Sequence, residues 1–165
     1  VICIPQGWIW QGGIALAVVM FGDSVDGTLA RMTTGGTRFG AFLDSTLDRL
    51  GDGAVFGSLT AYAVFHMDNS SVRTWTIIGG ICSIVGAAAV PYARARAESV
   101  GVVAKLGIAE RTDRLIIGMG TAMLMSLGLP EWVFACGLTW VAFASFVTVC
   151  QRIWFTARHI DEGAQ

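Results

Sequence analysis

DSVDGTLARMTTGGTRFGAFLDSTLD, residues Asp23 to Asp48, sets four aspartates and two arginines between the apolar runs GGIALAVVMFG and GAVFGSLTAYAVF. Burying an unpaired carboxylate in apolar surroundings costs several kcal/mol or drives the group to its neutral form. Something must compensate these four, and the rest of the sequence says where they lie.

Outward from this stretch, the 165-residue chain is 54% hydrophobic and 14% charged, with a mean hydropathy of +0.63. Soluble domains carry about 25% charged residues, so this composition disfavours a soluble helical bundle. The 21 glycines suit closely packed membrane helices. A hydrocarbon core of about 30 Å takes roughly 20 mostly apolar residues. Five segments approach that: Gly12–Met32, Phe39–His66, Trp75–Ala95, Leu115–Leu129 and Trp132–Trp154, the fourth being the shortest. The sequence therefore predicts an all-α, polytopic transmembrane bundle, a single domain over residues 1–165.

The charges orient it. Arg31 and Arg38 follow the first span; Arg94, Arg96, Lys105, Arg111 and Arg114 follow the third; Arg152 and Arg158 close the fifth. Arg73 is the only Lys or Arg between spans two and three, and the fourth connection has none. Positive loops face the cytoplasm, so the aspartates belong at the cytoplasmic face of the plasma membrane, and no nucleic-acid partner is expected. The chain opens on Val1 without a signal pattern, so an upstream part is expected to be missing. Cys3, Cys82, Cys136 and Cys150 lack ligand spacing and are expected to be buried free thiols.

Asp23, Asp26, Gly27 and Ala30 recur at three-and-four spacing, and Gly40, Asp44 and Asp48 recur every four residues. Each set shares one helical face. The short TTGGT connection makes the two helices antiparallel neighbours, so two carboxylates from each converge, with small residues leaving a slot beside them. Four oxygen donors without His or Cys suit a hard cation, Mg²⁺ or Mn²⁺. Two other readings stay open: ion pairs with Arg31, Arg38 and Arg49, and a proton or cation path through a transporter. Asp52, one turn beyond Asp48, either pairs with Arg49 or supports the site from behind.

The pattern Asp23-x2-Asp26-Gly27-x2-Ala30-Arg31-x8-Gly40-x3-Asp44-x3-Asp48 resembles the signature of the CDP-alcohol phosphotransferases at all eight of its fixed positions. The resemblance implies a six-helix, usually dimeric membrane enzyme, of which this chain would hold the last five helices. It implies transfer of a phosphoryl-linked alcohol from a CDP-alcohol to an acceptor hydroxyl. It further implies that Asp23, Asp26, Asp44 and Asp48 hold two metal ions, that Gly27, Ala30, Arg31 and Gly40 receive the CDP moiety, and that Asp48 is the base.

A second segment, PYARARAESVGVVAKLGIAERTDRL (Pro91–Leu115), brings Arg94, Arg96, Arg111 and Arg114 to the same cytoplasmic level. They form either a positive rim towards anionic lipid or a pocket for an anionic acceptor, since guanidinium donors match phosphate. The RARAE and ERTDRL segments and the late Gln151–Arg152 pair are similar to those of actinobacterial members of the family that act on CDP-diacylglycerol and inositol phosphate. That similarity implies an acceptor-phosphate pocket of Arg94, Arg96, Arg111, Arg114 and Arg152. Arg94 stands where those proteins often have Lys, and Thr112–Asp113 replaces a frequent Pro-Glu or Ala-Glu pair. Glycerol 3-phosphate as acceptor is the rival within the same chemistry. A cation transporter is the rival from another class.

The carboxylate cluster generates a first test. Chelation with excess EDTA is expected to abolish CMP release from a CDP-lipid, and Mg²⁺ or Mn²⁺ to restore it. Full turnover in chelator would remove the two-metal reading.

Overall fold

A computed structural model describes residues 2–18, 37–108 and 110–160. Every regular element among them is helical. A 3₁₀ turn at Ile4–Gln6 leads into α1 (Ile9–Val18), followed by α2 (Arg38–His66), α3 (Ser71–Ser99), α4 (Arg111–Ser126) and α5 (Glu131–His159).

Local chemistry sets the ends. Pro5 lies in the first positions of the 3₁₀ turn, and Gly7, at φ 87°, closes it by donating its backbone N–H to the Ile4 carbonyl. This left-handed conformation is cheap only for glycine. The Thr37 hydroxyl caps α2 by accepting from the Gly40 amide at 3.0 Å, and Ser70 caps α3 by accepting from Arg73 at 3.1 Å. Each cap satisfies a backbone donor that has no partner within its own helix. Because of its cap, α3 starts before the apolar run that predicted it, at Ser71 rather than Trp75, and it continues past Ala95 to Ser99.

Packing runs through small residues. α3 makes its broadest contact with α5, α2 lies against α3, and α4 lies against α5. An added Cβ on Gly86 of α3 would stand 2.6 Å from Ser145 Cβ of α5, and one on Gly79 would stand 3.2 Å from the Thr139 amide. Between these contacts the Ser83 hydroxyl donates to the Leu138 carbonyl at 2.9 Å, fully buried. Phe56, Leu59, Leu115, Met119, Phe134 and Leu138 fill the centre. Thr60, Thr76, Thr121, Thr139 and Thr148 turn their hydroxyls back to carbonyls one turn earlier, which leaves those donors satisfied in an apolar interior.

Two helices, α3 and α5, are long and apolar enough to cross a membrane. α2 is equally long at 29 residues but carries Arg38, Asp44, Asp48, Arg49 and Asp52 in its first half. The 16 residues of α4 rise about 24 Å. One expectation is corrected. Cys82, Cys136 and Cys150 are exposed and Cys3 is half-buried, so none is a buried thiol. The outer faces of α3 and α5 are as apolar as the inner ones, with Ile78, Ile81, Trp140 and Phe143 pointing outward. On helices apolar all round, hydrophobicity does not separate inside from outside.

Gly86→Ala is expected to destabilise the bundle by about 1–3 kcal/mol, because Ser145 Cβ is fixed to its backbone and cannot rotate away. Gly57→Ala is the control: nothing lies within 4 Å of an added Cβ there, and alanine favours the helix by about 1 kcal/mol. Unfolding midpoints in detergent measure both. A Gly86 variant as stable as Gly57→Ala would contradict this packing.

Candidate active site

α2 presents Gly40, Asp44, Asp48 and Asp52 on successive turns. Burial deepens along that row: Asp44 is exposed, Asp48 is half-buried and Asp52 is 1% exposed. Partners follow burial. Asp48 pairs with Arg111 Nη1 at 2.8 Å and, more loosely, with Arg49 at 3.7 Å. Asp52 accepts from Arg111 Nε at 2.9 Å on one oxygen and from Arg114 Nη2 at 3.4 Å on the other. Arg111 thus joins two carboxylates one turn apart. Asp52 pairs across to α4, where the sequence pointed to Arg49 or a supporting role.

Beside this chain of charges lies a pocket of about 550 Å³ between α2, α3, α5 and the segment before α4. Arg94, Arg111, Arg114 and Arg152 all line it, and so do Arg49, Lys105 and Glu110. Arg94 also bonds Glu98 one turn on, at 2.9 Å. Among the described residues, six cations line the pocket. Four carboxylates either line it or pair with those cations, leaving two positive charges in excess. Arg96 lies elsewhere, in an apolar groove between α3 and α5 with Tyr92, Val100 and Ile153. The sequence did not single out Arg49 and Lys105 as pocket residues. Arg49 carried a signal, since it adjoins Asp48.

Arg152 holds the wall of the pocket. Its Nε donates to the Leu106 carbonyl at 3.0 Å, and its Nη1 donates to the Val90 carbonyl. Where that segment crosses α5, Gly107 has φ 145°, and an added Cβ would collide with the Thr148 methyl. Only glycine meets both constraints.

Asp23, Asp26, Gly27, Ala30 and Arg31 lie outside the described residues. Among the described residues, no three Asp, Glu, His or Cys side chains cluster to hold a metal. Asp44 and Asp48 are oxygen donors one turn apart at the open end of α2. They could supply half of a hard-cation donor set, and Asp48 would then trade its Arg111 partner for an ion.

Residues 1–150 match the CDP-alcohol phosphatidyltransferase family. The chain belongs to that family. Among its relatives, a phosphatidylinositol phosphate synthase of Mycolicibacterium smegmatis is 42% identical over 152 residues, covering 90% of this chain and 66% of the relative. The chain therefore spans just under two thirds of that protein. The crystal structure of Mycobacterium tuberculosis phosphatidylinositol phosphate synthase with CDP-DAG bound superimposes with a TM-score of 0.82 at 35% identity, covering 93% of this chain and 76% of that one. The same synthase in complex with manganese and citrate gives a TM-score of 0.83 at 35% identity, covering 93% and 73%.

In this CDP-alcohol phosphatidyltransferase the Arg152 staple is open to test. Arg152→Ala removes two charge-assisted bonds, each worth about 1.5–3 kcal/mol. Amide hydrogen exchange across residues 102–108 is expected to speed up about tenfold or more. Unchanged exchange would show that the segment holds itself.

Proposed function

We propose that this protein transfers the phosphatidyl group of CDP-diacylglycerol to a hydroxyl of inositol phosphate, releasing CMP. The observation that carries the acceptor reading is the convergence of Arg94, Arg111, Arg114 and Arg152 on one pocket, joined through Arg111 to Asp48. An excess of two positive charges complements a phosphate monoester, which carries about −1.5 to −2 at pH 7. The names of the relatives favour inositol phosphate over glycerol 3-phosphate. Family membership, α3 and α5 support a multi-pass membrane enzyme of five spans in this chain, with the charged end of the bundle in the cytoplasm and with membrane lipids around it. A homodimer is part of the same reading.

In the reaction, the acceptor oxygen attacks the phosphorus that carries the diacylglycerol, and the bond from that phosphorus to the CMP oxygen breaks. CMP leaves with the bridging electrons. Asp48 takes the acceptor proton, a role for a carboxylate within hydrogen-bond reach of a hydroxyl. Asp23, Asp26, Asp44 and Asp48 would hold two divalent ions, Mg²⁺ or Mn²⁺, which when bound neutralise pyrophosphate charge and steady the entering and leaving oxygens. The manganese complex of the M. tuberculosis synthase supports a divalent metal. Gly27, Ala30, Arg31 and Gly40 would receive the CDP moiety. Arg94, Arg111, Arg114 and Arg152 orient the acceptor by its phosphate, and Arg96 would act from the neighbouring groove.

The deciding experiment is an acceptor panel with CDP-diacylglycerol: inositol phosphate, free inositol, glycerol 3-phosphate and serine. CMP release is expected with inositol phosphate alone. Preference for glycerol 3-phosphate would change the acceptor and keep the chemistry, and no CMP release with any acceptor would favour a transporter. Asp48→Asn is expected to lose about 10²–10⁴ in kcat while CDP-diacylglycerol binding stays within a few-fold. Near wild-type turnover would exclude Asp48 as the base.

A further inference from the structure

Asp52 stands apart from the residues assigned so far. It lies outside the eight-position signature, carries no role in the proposed reaction, and is 1% exposed. A carboxylate buried that far needs partners, and both come from the first turn of α4, 59 and 62 residues further along the chain. Both partners line the pocket. Arg114 is 3% exposed, so packing confines it as well.

The geometry gives this carboxylate a definite effect. It accepts from Arg111 on the Nε edge, while Arg111 Nη1 reaches Asp48 at 2.8 Å. A guanidinium is planar, so fixing two of its edges fixes its plane. Asp52 therefore sets the angle at which Arg111 meets the pocket and the Asp48 carboxylate. Its second oxygen restrains Arg114 by one Nη. Arg49, Arg111 and Arg114 are three like charges on one wall. Without a negative charge behind them, repulsion would spread their side chains.

We propose that Asp52 is a positioning residue for the acceptor. It touches neither substrate, and it acts by holding Arg111 and Arg114 in the orientation that receives the acceptor's phosphate. This rests on the reading of the pocket as the acceptor-phosphate site. Asp52 therefore governs acceptor affinity and leaves the use of the CDP-lipid alone. It also ties the acceptor pocket to the base, because Arg111 is shared between Asp52 and Asp48.

The test uses the full-length protein in lipid nanodiscs with Asp52→Asn, which keeps the size and removes the charge. The KM for inositol phosphate is expected to rise about tenfold or more, while the KM for CDP-diacylglycerol changes by less than about twofold. Equal increases in both would mark Asp52 as merely structural and overturn the proposal. A second comparison stays informative even where Asp52→Asn alone folds poorly. In an Arg111→Gln/Arg114→Gln background both cationic partners of Asp52 are gone, and adding Asp52→Asn is expected to leave the KM for inositol phosphate within about twofold of the double variant. A further tenfold loss there would show that Asp52 does not act through these arginines. Failure of the functional reading looks different: the wild-type protein itself would then give no CMP with inositol phosphate. In that case direct calorimetric binding of inorganic phosphate to wild-type and Asp52→Asn protein decides the matter. Weaker binding to the variant supports the positioning role, and equal binding overturns it.

Discussion

A carboxylate sealed inside an apolar helical bundle has to be neutralised where it sits, and Asp52 meets that demand through α4. Two guanidiniums from one helical turn reach across to it, and one of them continues to Asp48. Removing one partner of such a pair leaves a buried charge uncompensated, typically a loss of about 3–5 kcal/mol. Helices α2 and α4 are thereby tied together midway along α2, one turn past Asp48. The pairing of Asp48 with Arg111 and the α4 side of the pocket wall follow from that tie.

The other end of the dependence is steric. α3 and α5 approach closely because Gly79, Gly86 and Ser83 present almost nothing between them. Their closeness brings Arg94 near the end of one helix to the same cavity as Arg152 near the end of the other. In a bundle whose outer faces are as apolar as its core, burial of oily surface gives little directional information. Small-residue contact and a few interhelical polar bonds supply it.

Much of this was legible in the residues. The apolar runs located α2 to α5, and the four-residue spacing of Gly40, Asp44 and Asp48 placed them on one face. The family resemblance, rather than spacing, put Arg94, Arg96, Arg111, Arg114 and Arg152 together; all but Arg96 line one cavity. Arg96, two residues beyond Arg94 on the same helix, faces another way and lines the neighbouring groove. The partners of Asp52 were not legible. They are some sixty positions away, and no local pattern encodes which cation a buried carboxylate meets. Lys105 was hidden for a similar reason, because a residue between helices points wherever its segment is pinned, here by Arg152 and by Gly107 against Thr148. The outward-facing cysteines escaped because every side of α3 and α5 reads as interior. Asp23, Asp26, Gly27, Ala30 and Arg31 lie outside the described residues.

Helix α5 packs against both α3 and α4 and carries Arg152, yet the ribosome makes it after both of them. During synthesis, the glycine faces of α3 and the first-turn arginines of α4 emerge before the helix that closes over them. The Val102 amide already donates to the Ala97 carbonyl of α3, but the Leu106 end of that segment lacks its staple until Arg152 arrives. When α4 is complete, Asp44, Asp48 and Asp52 of α2 have already been made, while the arginine-lined pocket still lacks Arg152. Among the described residues that line the pocket, Arg152 is thus the last to be made.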